Sequence, residues 1–204
     1  MQGASAVTAA TAKATATTSP CSAGGFNGNG KSRGNDNSNI GPYSNLYSAS
    51  TLAINPDTGT IVWHFQHTPH DAWDYDGVNE LVLADLTLGG QKTPVLLKAD
   101  RNGFFYVLNR QTGKLISAKP FVDINWATGI DMSTGRPIEQ PEKRPRLKFR
   151  AMNVCPNLIG GKNWMPMSYN AQTGLVYIPT MNLCMDMEGA EPKFGDTLVM
   201  GRSG

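Results

Sequence analysis

An all-β fold, and within that class a partial β-propeller, is what this sequence predicts from about residue 45 onward. Two observations carry the prediction. Short β-branched or aromatic runs are broken every few residues by Gly, Asn, Asp or Pro, and one turn phrase recurs at a spacing that suits propeller blades. No stretch sustains helical spacing of apolar residues.

The first 44 residues stand apart. They are dominated by Ala, Thr, Ser, Gly and Asn, with Phe26 and Tyr43 the only aromatics, so they hold too little apolar surface to offset chain entropy. We expect residues 1–44 to be a disordered, low-complexity segment and residues 45–204 to be the folded unit. Within that unit the candidate strands are Tyr47 to Asn55, Thr60 to Gln66, Leu81 to Leu86, Thr93 to Ala99, Phe104 to Asn109, Met165 to Asn170 and Leu175 to Thr180.

The turn phrase is Asn55-Pro56-Asp57-Thr58-Gly59, then Asn109-Arg110-Gln111-Thr112-Gly113, then Asn170-Ala171-Gln172-Thr173-Gly174. An Asn side chain can accept from the backbone two residues on, and Gly tolerates the positive φ at which a hairpin reverses. A fourth copy, Asp131-Met132-Ser133-Thr134-Gly135, sits among weaker strand signals. The three Asn copies are about 54 and 61 residues apart, within reach of a blade period with long loops.

Charge and cysteine usage exclude several functions. Eighteen basic and 16 acidic residues are scattered to a net +2, which gives no footprint for nucleic acid. Nothing in the chain resembles an 18-residue apolar span. The one basic cluster, Lys143, Arg144, Arg146, Lys148 and Arg150, is interleaved with Pro141 and Pro145 and reads as a solvated loop. Three cysteines lack zinc or haem spacing, leaving Cys21 as the odd thiol and Cys155 with Cys184 as the candidate pair.

The densest chemical signal is the polar, aromatic stretch from His67 to Glu80, which holds Asp71, Asp74 and Asp76. Three acids so close could serve a hard cation or a proton transfer, or simply form a solvated acidic loop. His64, His67 and His70 read as packed or solvated side chains.

Three separated segments then resemble one family in the same order. Pro69 to Glu80 with its Trp73-Asp74-Tyr75-Asp76, Lys98 to Phe104 with Asp100-Arg101-Asn102-Gly103, and Gly160-Gly161-Lys162-Asn163-Trp164 are similar to the pyrroloquinoline quinone (PQQ) dependent methanol and alcohol dehydrogenases, the lanthanide-type methanol dehydrogenases most of all. Ala53, Asn55, Thr58, Gly59 and Trp63 also resemble the tryptophan-docking repeat of that family's propellers; the later copies carry Ser117 and Ile178 where Trp63 stands.

The resemblance implies an eight-bladed quinoprotein propeller to which this chain contributes about three blades, the rest of the ring lying outside the sequence. It implies oxidation of a primary alcohol such as methanol to the aldehyde, with hydride passing to metal-bound PQQ. Asp74 would be the catalytic base and, with Asp76, a metal ligand. Arg101, Asn163 and Trp164 would contact the cofactor, and Cys155 and Cys184 would be disulfide-bonded. The extra carboxylate of Asp76 favours a lanthanide ion, with calcium the alternative. Implied partners are a periplasmic cytochrome c acceptor and a second copy of the chain, and the implied compartment is the periplasm. The competing expectations are a non-catalytic propeller used as an interaction scaffold, or a fragment inactive by itself.

Overall fold

The computed structural model describes residues 46–189; the expected disordered segment 1–44, and Cys21 with it, lies outside the described residues. The described residues form twelve strands: β1 (Ser50–Ile54), β2 (Ile61–Gln66), β3 (Val82–Leu88), β4 (Gln91–Ala99), β5 (Phe104–Asn109), β6 (Leu115–Pro120), β7 (Ala127–Ile130), β8 (Pro137–Glu139), β9 (Arg150–Val154), β10 (Ser168–Asn170), β11 (Leu175–Tyr177) and β12 (Met185–Glu188), with one 3-10 turn at Pro141–Lys143. Every sheet is antiparallel. β3-β4-β5-β6 is a complete four-stranded meander, while β1-β2, β7-β8, β9-β12 and β10-β11 are two-stranded pieces.

All seven candidate strands form, most of them shorter than expected. β6, β7, β8, β9 and β12 were not anticipated. Their sequences, such as Ala-Thr-Gly-Ile in β7 and Arg-Ala-Met-Asn-Val in β9, lack the β-branched density that marks a strand locally; β6, β7 and β8 form in hairpins across the recurrent turn, and β9 pairs with the distant β12.

The turn phrase does what its chemistry predicts. Asn55, Asn109 and Asn170 each accept from the backbone N–H two residues on through Oδ1, at 2.9 Å in all three copies. The closing glycines Gly59, Gly113 and Gly174 all have φ near +70°. The Asp131 copy is a true fourth member: Ser133 N–H donates to Asp131 Oδ1 at 2.8 Å and Gly135 N–H to the Asp131 carbonyl at 2.7 Å, joining β7 to β8.

Two of these turns also seat aromatics from β2. A Cβ on Gly113 would fall 2.7 Å from the Trp63 indole, and one on Gly135 would fall 2.8 Å from the Phe65 ring. Trp63 Nε1 donates to the Arg110 carbonyl at 3.1 Å, so the β1-β2 hairpin is docked on the four-stranded sheet through an indole.

β4 lies at the centre, buried from Val95 to Ala99. Leu96 on one face joins Phe104, Tyr106, Leu108, Trp63, Phe65, Trp73, Tyr75 and Trp126. Val95, Leu97 and Ala99 on the other pack with Met167 and, around it, Tyr169, Val176 and Ile178 from the β10-β11 side. The alternation is the period-2 pattern of a strand covered on both faces, as stacking blades require.

Candidate active site

Three loops meet near one end of the central sheet. The first runs from β2 to β3 through residues 67–80, the second is the β4-β5 turn at 100–103, and the third follows β9 through residues 155–167. The β4-β5 turn is short and rigid: Gly103, at φ +90°, donates to the Asp100 carbonyl, and Asn102 Oδ1 caps the N–H of Phe104 at 3.1 Å. Such a turn fixes the direction in which Arg101 leaves the sheet.

Arg101 joins all three loops. Its Nη2 donates to Asp74 Oδ2 at 3.0 Å and also to the carbonyl of Leu158. Its own carbonyl accepts from Gly161 N–H at 2.9 Å. Gly160, at φ +87°, approaches so closely that a Cβ there would sit 2.6 Å from Arg101 Cγ and from its carbonyl oxygen. The Gly160-Gly161 pair is thus the bed on which the arginine lies.

Asp74 retains 36% side-chain exposure, whereas Asp76 is buried and shares a hydrogen bond with it. Burial is the largest influence on the Asp74 carboxyl and raises its pKa; the Arg101 cation opposes this, and the neighbouring Asp76 charge adds to the rise. The outcome is a carboxylate more basic than an ordinary aspartate. Asp71 is more extreme: burial pushes its pKa to about 8, although the N–H groups of Trp73 and Tyr75 hold it down.

Asn163 and Trp164 are tied to the same centre less directly. Asn79 Nδ2 donates to the Asn163 carbonyl at 2.9 Å, linking the third loop to the first. The Asn163 side chain is engaged locally, with Nδ2 on the Ile159 carbonyl at 3.0 Å and Oδ1 accepting from Trp164 N–H at 2.8 Å. Trp164 is 74% exposed. Asp74, Asp76 and Arg101 are therefore brought together, and Asn163 and Trp164 lie on the adjoining loop.

Four contributors were not assigned roles from the sequence. Glu80 accepts from Lys162 Nζ at 2.8 Å and from the N–H of Met167, fixing the middle and the far end of the third loop. Lys162 is fully buried, an unusual place for a lysine and one its ion pair explains. Arg144 is only 3% exposed, so the solvated reading of the basic cluster fails at this position. It grips Glu139 through Nε and Nη2 at 3.0 Å each, donates through Nη1 to the His70 carbonyl at 2.9 Å, and lies 4.4 Å above the Trp73 ring. The fourth is Asp71.

The histidines pack as expected. His67 is buried against Phe65 and Tyr106 with its Nε2 2.8 Å from Thr51 Oγ1, His70 is buried beneath Arg144, and His64 meets Tyr47 edge-on at 5.1 Å. Cys155 and Cys184 are disulfide-bonded, closing the segment that carries the third loop. Among the described residues, no three His, Cys, Asp or Glu side chains are gathered as a metal-binding cluster, and no helix is long and apolar enough to cross a membrane.

Comparison with known proteins places this geometry. The family model for the PQQ glucose/ethanol/alcohol dehydrogenase β-propeller domain matches residues 35–120. The chain is 51% identical over 150 residues to the lanthanide-dependent methanol dehydrogenase of Methylacidiphilum fumariolicum, covering 74% of this chain and 24% of that protein. It is 50% identical over 141 residues to the 1-butanol dehydrogenase (cytochrome c) of Thauera butanivorans, covering 68% of this chain and 20% of that one. A solved europium-containing methanol dehydrogenase superposes with a TM-score of 0.70 at 52% identity, over 71% of this chain and 25% of that structure. The chain thus spans about a quarter of the length of the relatives it matches.

Proposed function

Because this chain belongs to the PQQ-dependent alcohol dehydrogenase family as part of its β-propeller, we propose that it supplies the catalytic carboxylate of a quinoprotein that oxidises a primary alcohol to the aldehyde. The observation that carries the reading is the 3.0 Å contact of Asp74 with Arg101 at the junction of three loops.

The residues suit the groups the family implies. Arg101 Nε is buried without a hydrogen-bond partner among the described residues, a donor suited to the carbonyl and carboxylate oxygens of a quinone such as PQQ. Asp74 and Asp76 form an adjoining carboxylate pair, the donor chemistry of a hard cation, and two anionic side chains in one place favour a trivalent lanthanide over calcium. When bound, PQQ supplies a quinone carbonyl able to accept hydride, and the cation supplies Lewis acidity beside it.

Asp74 takes the hydroxyl proton of the alcohol. Its partial burial and its neighbour Asp76 raise its basicity, and Arg101 keeps it oriented. Asn163 and Trp164, on the loop held by Asn79 and Glu80, contact the cofactor. The disulfide supports residence in an oxidising compartment, the periplasm, where a cytochrome c would receive the electrons. The activity belongs to the completed ring.

Grafting residues 46–189 in place of the matching quarter of a lanthanide-dependent relative tests this reading. We expect the chimera to oxidise methanol with PQQ and lanthanum in a dye-linked assay, and Asp74→Ala to reduce turnover by about 100-fold or more. A folded chimera that loads PQQ and retains its turnover after Asp74→Ala contradicts the assignment.

A further inference from the structure

Asp74 has φ +68°, in the left-handed region where a residue bearing a Cβ is disfavoured. The surrounding structure over-determines it. Trp73 and Tyr75, on either side, are fully buried, and their rings stack at 5.9 Å and 7°. Trp73 Nε1 donates to the Lys143 carbonyl at 2.8 Å, and the Tyr75 hydroxyl donates to the carbonyl of Pro156. With both neighbours turned inward, the left-handed residue between them is the one whose side chain reaches Arg101.

A single side chain joins the two flanking peptides. Asp71, 1% exposed, accepts from Trp73 N–H through Oδ1 at 2.8 Å and from Tyr75 N–H through Oδ2 at 2.6 Å. One carboxyl group thus spans Asp74, with an oxygen on the N–H of each neighbour. An ordinary Asp turn uses one oxygen, so the second bond is what ties down the far side of the strained residue.

We propose that Asp71 is a positioning residue, which acts through the main chain of Trp73 and Tyr75 to hold Asp74 in the left-handed conformation that presents its carboxylate to Arg101. The functional weight of this device rests on Asp74 being the working carboxylate. Its physical operation does not, and the test separates the two.

The test is urea unfolding of the full chain with Asp71→Asn in three backgrounds: Asp74 retained, Asp74→Ala and Asp74→Gly. The asparagine keeps one acceptor and places an NH2 group against the second N–H. Asp74→Ala removes the charge near Asp71 but keeps the Cβ, whereas glycine adopts a positive φ without a clamp. We expect Asp71→Asn to lower the folding equilibrium constant by roughly 10- to 100-fold in the first two backgrounds, and by about threefold or less with glycine at 74. An equal loss in all three overturns the proposal, and so does a loss that Asp74→Ala relieves as fully as Asp74→Gly, which would make the effect one of charge. If Asp71→Asn alone prevents folding, recovery of a folded chain by Asp74→Gly supports the proposal and failure to recover overturns it. Because no cofactor or turnover enters the measurement, an inactive chimera would count against the function while leaving this result readable.

Discussion

At the scale of single residues, the same side chain type has opposite meanings according to what surrounds it. Arg144 and Arg150 lie six positions apart in one basic stretch, yet the Arg144 side chain is 4% exposed in its pair with Glu139 and that of Arg150 is 57% exposed beside Asp186. Removing a buried, hydrogen-bonded cation leaves its carboxylate uncompensated, so Arg144→Ala should cost about 3–5 kcal/mol of folding stability. Arg150→Ala should cost about 1 kcal/mol or less. Urea unfolding of the two variants checks the contrast, and equal effects would remove Arg144 from its place over Trp73. Charge spacing and prolines suggested solvent for both, because the glutamate, the His70 carbonyl and the indole that enclose Arg144 come together only in three dimensions. Asp74, Asp76 and Arg101 were singled out through the resemblance of their motifs to a family, whereas the reach of Arg101 across 27 positions to Asp74 is visible only in the fold. Asp71 was visible as one of three acids, but its grip on two backbone N–H groups depends on a φ that no side chain announces.

At the scale of elements, the hairpin turns combine a local role that sequence displays with a docking role that it hides. Gly59 and Gly113 both close the same turn phrase at positive φ, but only Gly113 lies under an indole. Gly59→Ala should cost about 1 kcal/mol, the penalty for a Cβ in the left-handed region. Gly113→Ala should cost about 2–4 kcal/mol, since it must also displace Trp63; thermal unfolding of both separates the two contributions, and similar losses would argue that Trp63 is not seated there. The third loop has its own signature. Burial alone would raise the Glu80 carboxyl, but its bonds from Lys162 and from the Met167 N–H prevail and leave it below the ordinary carboxylate range. A folded-state pKa below the unfolded one contributes stability that is present above the unfolded value, about 4.3, and is lost as pH falls through the folded value. The stability gap between the native chain and Glu80→Gln should therefore be constant near neutrality and shrink below about pH 4. A gap that instead widens on acidification would reverse the sign assigned to Glu80.

At the scale of the whole molecule, one complete four-stranded sheet carries two-stranded pieces on both faces, and the site gathers where loops from separate pieces converge. The sequence made the class, the turns and seven strands legible, since these depend on period-2 patterning and turn chemistry. β6, β7 and β8 sit in tight hairpins, β6 with β5 and β7 with β8, but their low β-branched content hides them, whereas β9 and β12 pair over a long range, across the segment that the Cys155–Cys184 bridge closes. That bridge spans 29 positions, so its loss in the Cys155→Ser/Cys184→Ser double variant should cost about 3–4 kcal/mol of stability against denaturant. An unchanged urea midpoint would mean that the third loop is held by Glu80, Lys162 and Asn79 without it. We propose that Asp74 and Asp76 are brought together by folding as a cation-binding carboxylate pair beside Arg101. A terbium titration of the full chain, following emission sensitised by the adjacent Trp73 and Tyr75, tests it most directly. Saturable emission is expected, which calcium displaces less readily than lanthanum and which Asp74→Ala and Asp76→Ala each abolish. Emission equally strong in the native chain and both variants would contradict it.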